Sequence, residues 1–183
     1  MATAKTGSFY LTETVTLAPG TASGGRVQGT IDLGAYVQVA TGMAVAVESV
    51  DFIWQAASDF GSSISSMLAG NGTLGCQLTD LNPGTGFVRA DNQSLIASGA
   101  LNIDFANNIG TITTDLYPDN HGPAALSEAF LVVNDSLYLV AGPDNNSTGG
   151  VDVFLTARIK ARVVKLGTKD WMAIAIQSTA SDN

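Results

Sequence analysis

The fold is decided by the stretch VDVFLTARIKARV, which occupies residues 151–163. Every odd-numbered residue in this stretch is apolar, whereas the even-numbered residues include Asp152, Thr156 and Arg158. Successive side chains of a β-strand point to opposite faces of the sheet. The alternation therefore predicts a long strand with one buried face and one polar face.

Further segments of the chain share this character. Alternation recurs in residues 9–17, 27–39, 74–78 and 95–105. Stretches that are apolar on both faces predict central strands covered on both sides by sheet or by a neighbouring subunit; they are residues 44–54, 129–140 and 171–176. Turn-forming residues separate the segments at 19–25, 70–72, 82–86, 118–123 and 142–150.

Helices have little room between these strands, although residues 58–68 could form a short helix and residues 123–129 one more turn. Many strands at short spacing, without alternation of strand and helix, predict an antiparallel sandwich or barrel. The length of 183 residues fits one domain, which we expect to span residues 1–183 with short mobile ends at 1–8 and 178–183.

The composition excludes several classes of protein. The chain is 45% hydrophobic and 13% charged, with a net charge of −8, so disorder and autonomous nucleic-acid binding are both disfavoured. We expect no sequence-specific contact with nucleic acid. We expect no signal peptide, because no unbroken apolar stretch follows residues 1–7, and the apolar runs are too short to span a bilayer as a helix.

Residues that could support catalysis or bind a metal are scarce. The one cysteine, Cys76, lies at an apolar position of a strand pattern, which favours a buried small hydrophobe over a reactive thiolate. The one histidine, His121, has no G-x-S-x-G nucleophile near it in sequence. We therefore expect no enzyme, no cofactor and no metal site, because no constellation of residues dictates a chemistry.

Two loops carry weak motifs. Residues 70–75 match the dinucleotide pattern G-x-G-x-x-G, but the strand-like residues that follow favour a plain turn, since the pattern needs a helix there. Residues 143–150 include Asp144 and Asn146 at calcium-loop spacing, but a long hairpin loop is favoured because Leu155 occupies the twelfth position. Asp115, Asp119 and His121 could also bind an ion. This interpretation is disfavoured, because three polar residues in a loop are common without any ion.

Basic residues are concentrated late in the chain. Five of the eight lysines and arginines lie between positions 158 and 169. A period of two projects Arg158, Lys160 and Arg162 from the same face of a strand. Three like charges in a row repel one another, so they need water, phosphate or acidic partners. The stripe is either a solvated outer face or a contact for an acidic second copy, and we take these three residues as subunit-interface candidates.

Long strand patterns with few charges cover most of the chain, at residues 27–39, 43–54, 130–139 and 151–166 and at Asp170-Trp171. This profile resembles viral single jelly-roll capsid proteins. Within that class it is similar to the smaller major capsid proteins of tailless icosahedral viruses of archaea and bacteria that enclose an internal membrane. Capsid proteins that package naked RNA or single-stranded DNA commonly carry a basic N-terminal arm. Residues 1–7 of this chain contain a single basic residue, Lys5.

The resemblance implies an all-β fold, namely an antiparallel eight-stranded jelly-roll β-sandwich with few or no helices. It implies a structural subunit that self-associates into capsomers of an icosahedral shell. Its expected partners are copies of itself, a second capsid protein and the lipid membrane inside the shell. Its expected location is the virion, after synthesis in the host cytoplasm.

The alternative is a β-sandwich binding or decoration module, which would bind carbohydrate, mediate host adhesion or clamp a capsid lattice as a trimer. Carbohydrate sites usually present exposed aromatic platforms. Aromatic residues make up only 7% of the chain, and Trp54 and Trp171 both lie in segments predicted to be buried. The composition therefore favours the capsid hypothesis over a carbohydrate-binding site.

Overall fold

The computed structural model describes residues 2–57, 64–113 and 129–180. Within these ranges the chain forms ten strands and one α-helix: β1 (Thr3–Ala4), β2 (Phe9–Leu17), β3 (Val27–Asp32), β4 (Met43–Ala56), β5 (Gly72–Thr79), β6 (Leu95–Asp104), β7 (Ile109–Thr113), β8 (Phe130–Val132), β9 (Ser136–Asp144), β10 (Val153–Lys165) and α1 (Thr168–Ala180). Short 3-10 turns occur at Val39–Thr41 and Ile64–Ser66.

The strands form two antiparallel sheets in a sandwich-like arrangement. In the first sheet, β10 pairs on one side with β1 and β2 and on the other with β4, which also pairs with β8. The second sheet has the order β3-β9-β5-β6-β7. The protein is therefore mostly β, as the sequence predicts.

The core lies between the two sheets. Leu155 and Ile159 of β10 are fully buried and belong to the same apolar cluster as Leu74 of β5 and Leu139 of β9. Burial of each such side chain stabilises the fold by about 1.5–3 kcal/mol. The odd-numbered residues from Val153 to Ala161 belong to this core and Val163 is buried as well, so the alternation predicted for residues 151–163 is confirmed.

Strand pairing is nested along the chain. β2 pairs with β10, β3 with β9, β4 with β8, and β5 with β6. The outermost pair therefore joins residues near the two ends of the sequence, as in the pairing of Leu17 with Val153. The innermost pair, β5 with β6, is the most local of the four.

The single strand predicted at residues 27–39 is shorter in the structure. β3 ends at Asp32, whose carboxylate accepts a hydrogen bond from the Gly34 N–H (2.8 Å) and closes a turn. The N–H groups of Tyr36 and Val37 then both donate to the Leu33 carbonyl. Leu33 and Val37 are both buried. Because this turn places residues four apart on the same side, it requires the same apolar positions as a strand.

The central strand predicted at residues 171–176 is wrong, because these residues lie in α1. Asp170 stands in the first helical turn, where a negative charge is favoured. Trp171, Ile174 and Ala175 follow the i, i+3, i+4 spacing of a helix face and pack beside the buried residues Ala44, Ala46 and Val164 on the outer face of the first sheet. The chain's own helix thus covers the outer face at the start of β4.

Two further predictions need correction. The apolar stretch 129–140 is not one strand but two, β8 and β9, which lie in different sheets. Residues 143–150 do not form the predicted hairpin loop: β9 extends to Asp144, and the following loop crosses to β10 in the other sheet. Of the helix expected at 58–68, Ile64–Ser66 forms a 3-10 turn, and residues 58–63 lie outside the described residues. The loop predicted at 118–123 and residues 123–128 of the helical turn predicted at 123–129 also lie outside them.

Candidate subunit-contact surface

Arg158, Lys160 and Arg162 project from the outer face of β10. Their neighbours Ala157, Ile159 and Ala161 are fully buried in the core on the opposite face. Arg158 is exposed, whereas Lys160 and Arg162 are half-buried. The structure therefore places the three cations on one surface but in different environments.

A β-bulge in β4 brings Glu48 to the same surface. Lys160 is opposite Ser49 and Ala161 is opposite Val47, so Glu48 is the extra residue between them. The Glu48 side chain is only 4% exposed, and it forms an ion pair with the Arg162 guanidinium. Lys160 Nζ lies 3.6 Å from Glu48 Oε2, to which the Ser8 hydroxyl donates a hydrogen bond of 2.9 Å.

This cluster, Glu48 with Lys160, Arg162 and Ser8, changes the charge balance of the stripe. A carboxylate between two cations offsets their mutual repulsion, and hydrogen bonds to a charged group are stronger than those between neutral groups. Sequence reasoning missed Glu48. The available signal was that Glu48 is the only charged residue in positions 43–50, and a charge in an apolar run needs a partner.

Arg158 has an aromatic neighbour instead. Its guanidinium carbon lies 5.0 Å from the centroid of the Tyr10 ring on β2, within cation–π range. Tyr10 is 57% exposed. Asp51 of β4 is directly opposite Arg158 in the strand register and is also exposed. Arg158 is thus the outward-facing member of the predicted stripe, and the exposed Tyr10 lies beside it.

The loop motifs have structural explanations. Gly72 of the G-x-G-x-x-G match begins β5, so a strand follows the pattern instead of a helix, and the turn interpretation is confirmed. The Asp144 carboxylate accepts a hydrogen bond of 2.6 Å from Arg26, whose guanidinium also stacks over the Phe87 ring at 4.2 Å. Asp144 therefore holds the start of β3 to the end of β9. Asp115, Asp119 and His121 lie outside the described residues.

Cys76 is buried in the core, as its position in the strand pattern predicts. It is 2% exposed, and its thiol lies 3.4 Å from the Gly99 carbonyl oxygen, which accepts its hydrogen bond. Among residues 2–57, 64–113 and 129–180, no three or more His, Cys, Asp or Glu side chains converge on a possible metal site. Across the same described part of the chain, no helix is both long and apolar enough to cross a bilayer.

No protein-family model matches the sequence. No curated protein matches it either.

Proposed function

We propose that this protein is a jelly-roll subunit of an icosahedral viral capsid, which self-associates into capsomers. Copies of the chain are its principal partners. A second capsid protein and an internal lipid membrane are further predicted partners, and the virion is the predicted location. The nested strand order is the observation that carries the proposal.

The strand order supports a jelly roll in the following way. If the strands of the four nested pairs are numbered one to eight along the chain, the first sheet reads 1-8-3-6 and the second 2-7-4-5. This order arises when a long antiparallel hairpin of four strand pairs is wrapped into two facing sheets, the arrangement of capsid jelly rolls. β1 and β7 are additions at the sheet margins.

The outer face of the first sheet supports self-association. Arg158 and Tyr10 are exposed there, on a chain whose net charge of −8 supplies acidic surface on any second copy. Interfaces are enriched in arginine and tyrosine, and complementary charge guides association. In this proposal Arg158 contacts the neighbour, whereas Glu48 holds Lys160 and Arg162 in place beside it.

The direct test is assembly of the purified full chain. Sedimentation velocity and negative-stain electron microscopy over a wide range of protein and salt concentrations should show discrete capsomers or shells. A chain that stays monomeric under all these conditions, alone and with the second capsid protein of its virus, would contradict the proposal.

Charge reversals separate assembly from folding. Arg158→Glu should weaken assembly at least tenfold with little change in the melting temperature, because Arg158 is exposed. Arg162→Glu should lower the melting temperature, because it places two carboxylates together at Glu48. Arg89→Glu, an exposed site away from the stripe, is the matched control and should change neither property. Equal loss of assembly in the Arg158 and Arg89 variants would exclude a role for the stripe.

One observation favours the alternative of a carbohydrate-binding or adhesion module. Tyr10 presents more than half of its surface to solvent beside Arg158, and Thr14 and Thr156 share a hydrogen bond (2.8 Å) on the same two strands. An aromatic ring with polar neighbours is the usual form of a sugar platform. Glycan-array binding by the monomer that is lost in Tyr10→Ala would support this module over the capsid subunit.

A further inference from the structure

The β6–β7 turn, residues 105–108, is firmly held yet exposes apolar side chains. The Phe105 N–H donates to Asn71 Oδ1 (2.8 Å), and the Ser65 N–H donates to Asn108 Oδ1 (2.9 Å). Phe105 is nevertheless 42% exposed and the adjoining Ile109 is 56% exposed. A loop that is already ordered loses little entropy when it binds, so this turn is suited to insertion into a partner.

Asp104 adds a negative charge at the base of this turn. Its carboxylate accepts hydrogen bonds from the Asn107 side-chain amide (2.7 Å) and backbone N–H (3.3 Å). The side-chain hydrogen bond from Asn107 is the main cause that lowers the pKa of Asp104. The carboxylate is therefore ionised at neutral pH, next to the exposed ring of Phe105.

A groove of about 660 Å³ lies between the 3-10 turn at residues 39–41 and the start of α1. Its lining includes the apolar residues Val39, Trp171 and Met172 and the charged residue Lys165. Val39 is 68% exposed and Met172 is 55% exposed. We name this the α1 groove.

Exposed apolar side chains also occur on the outward face of α1. Ile176, one turn beyond Met172, is 62% exposed, although Trp171 and Ile174 already pack on the sheet. Exposed apolar side chains that lie together often mark an interaction surface. The α1 groove therefore has the character of a surface that is buried in an assembly.

The turn and the groove lie at opposite ends of the sandwich. The turn follows the end of β6, which lies beside the start of β5 and, through β5, near the end of β9. The loop after β9 leads to the start of β10, whereas the groove lies at the end of β10, 13 residues further along the chain. At about 3.3 Å per residue, the two features are separated by roughly 40 Å along the strands. They cannot meet within one chain.

We propose that the β6–β7 turn of one copy inserts into the α1 groove of a second copy, so that Phe105 packs against Val39 and Met172 and Asp104 faces Lys165. This head-to-tail contact deepens the proposed function, on which it rests, by naming one of the surfaces through which copies associate. A contact between two different surfaces can propagate from copy to copy and closes when the rotation per step allows it.

Separate variants of the two surfaces provide the test. The turn variant Phe105→Ser/Ile109→Ser and the groove variant Val39→Ser/Met172→Ser change exposed side chains only. Sedimentation velocity should show each variant alone with association weakened at least tenfold. An equimolar mixture should associate more tightly than either variant alone, because it retains one intact turn and one intact groove, which together can form one contact.

A charge swap tests the polar part of the contact. Asp104→Lys and Lys165→Asp should each weaken association, and the double variant should recover most of it. Ile112→Ser is the matched control, since Ile112 is 60% exposed on β7 but lies beyond the turn. Unchanged melting temperatures show that each variant is folded.

The outcomes are distinguishable. A wild-type chain that assembles, with turn and groove variants that assemble equally well, overturns this contact and leaves the proposed function intact. A wild-type chain that remains monomeric overturns both. A third outcome is that the wild-type chain floats with anionic vesicles and the groove variant does not, while self-association of the variant is unchanged. This result would overturn the contact and assign the groove to a lipid surface.

Discussion

Glu48 shows how one residue determines the charge of a surface. Lys160 and Arg162 lie on adjacent outward positions of β10, and without Glu48 they would repel each other across a partly desolvated site. The bulge in β4 places the carboxylate between them. The three cations that the sequence places on one face, either solvated or in contact with an acidic second copy, are thus one exposed cation and a compensated cluster.

Replacing Glu48 with glutamine removes this compensation. We expect Glu48→Gln to lower the free energy of unfolding by about 1–3 kcal/mol, because two half-buried cations lose their shared counter-charge. Urea denaturation measures the change. Adding Arg162→Gln should recover part of the loss, since only one cation then remains.

Asp51→Asn is the matched control for Glu48→Gln. Asp51 is on the same strand and the same outer face but is exposed, so its replacement should change the unfolding free energy by less than about 0.5 kcal/mol. Equal losses at the two positions would show that the bulge cluster has no special role.

Two adjacent glycines are expected to respond differently to alanine. A Cβ at Gly149 would overlap the carbonyl oxygen of Ser66, which belongs to the backbone and cannot move easily, whereas a Cβ at Gly150 would meet no atom within 4 Å. Gly149→Ala should therefore cost about 1–3 kcal/mol and Gly150→Ala close to nothing. Thermal unfolding of the two variants measures this, and similar melting temperatures would contradict the packing of this loop.

At the scale of elements, the sequence predicts strands well where alternation is long. β2 and β10 have nearly the predicted bounds because apolar residues recur at every second position over most of their length, with Glu13 of β2 as the exception. The strand predictions for residues 27–39 and 171–176 are inaccurate for different reasons. Residues 33 and 37 satisfy a strand period and a helical turn equally, and an all-apolar run of six residues has no period to read.

The candidate site was predictable only in part. The shared face of Arg158, Lys160 and Arg162 follows from local geometry within one strand. Glu48 joins them through a register shift between β4 and β10, and the Tyr10 contact depends on the pairing of β2 with β10. Both depend on pairing between distant segments, which a local pattern does not contain.

The helical assignment of α1 gives a prediction that a strand would not share. Ile174 packs on the sheet and Ile176 is exposed, as expected two residues apart on a helix, whereas a strand would put both on one face. Ile174→Ser should lower the unfolding free energy by about 1–2 kcal/mol and Ile176→Ser by less than about 0.5 kcal/mol. Chemical denaturation of both variants tests this, and equal losses would favour a strand.

At the scale of the whole molecule, nested pairing governs folding. The first sheet needs contacts between residues 9–17 and 153–161, which are separated by most of the chain. Loop closure over such distances is slow, so we expect refolding in milliseconds to seconds or slower, in the range of all-β proteins. Stopped-flow dilution from urea measures the rate, and refolding in microseconds would contradict the nested order.

The buried thiol of Cys76 has a practical consequence for studies of this protein. Because the chain has a single cysteine and this one lies in the core, a thiol reagent can react only when the two sheets separate locally or globally. The rate of labelling therefore measures how often the two sheets open, and no engineered probe is needed. A comparison of the labelling rate in free subunits with the rate in the proposed assemblies would measure how much association slows this opening.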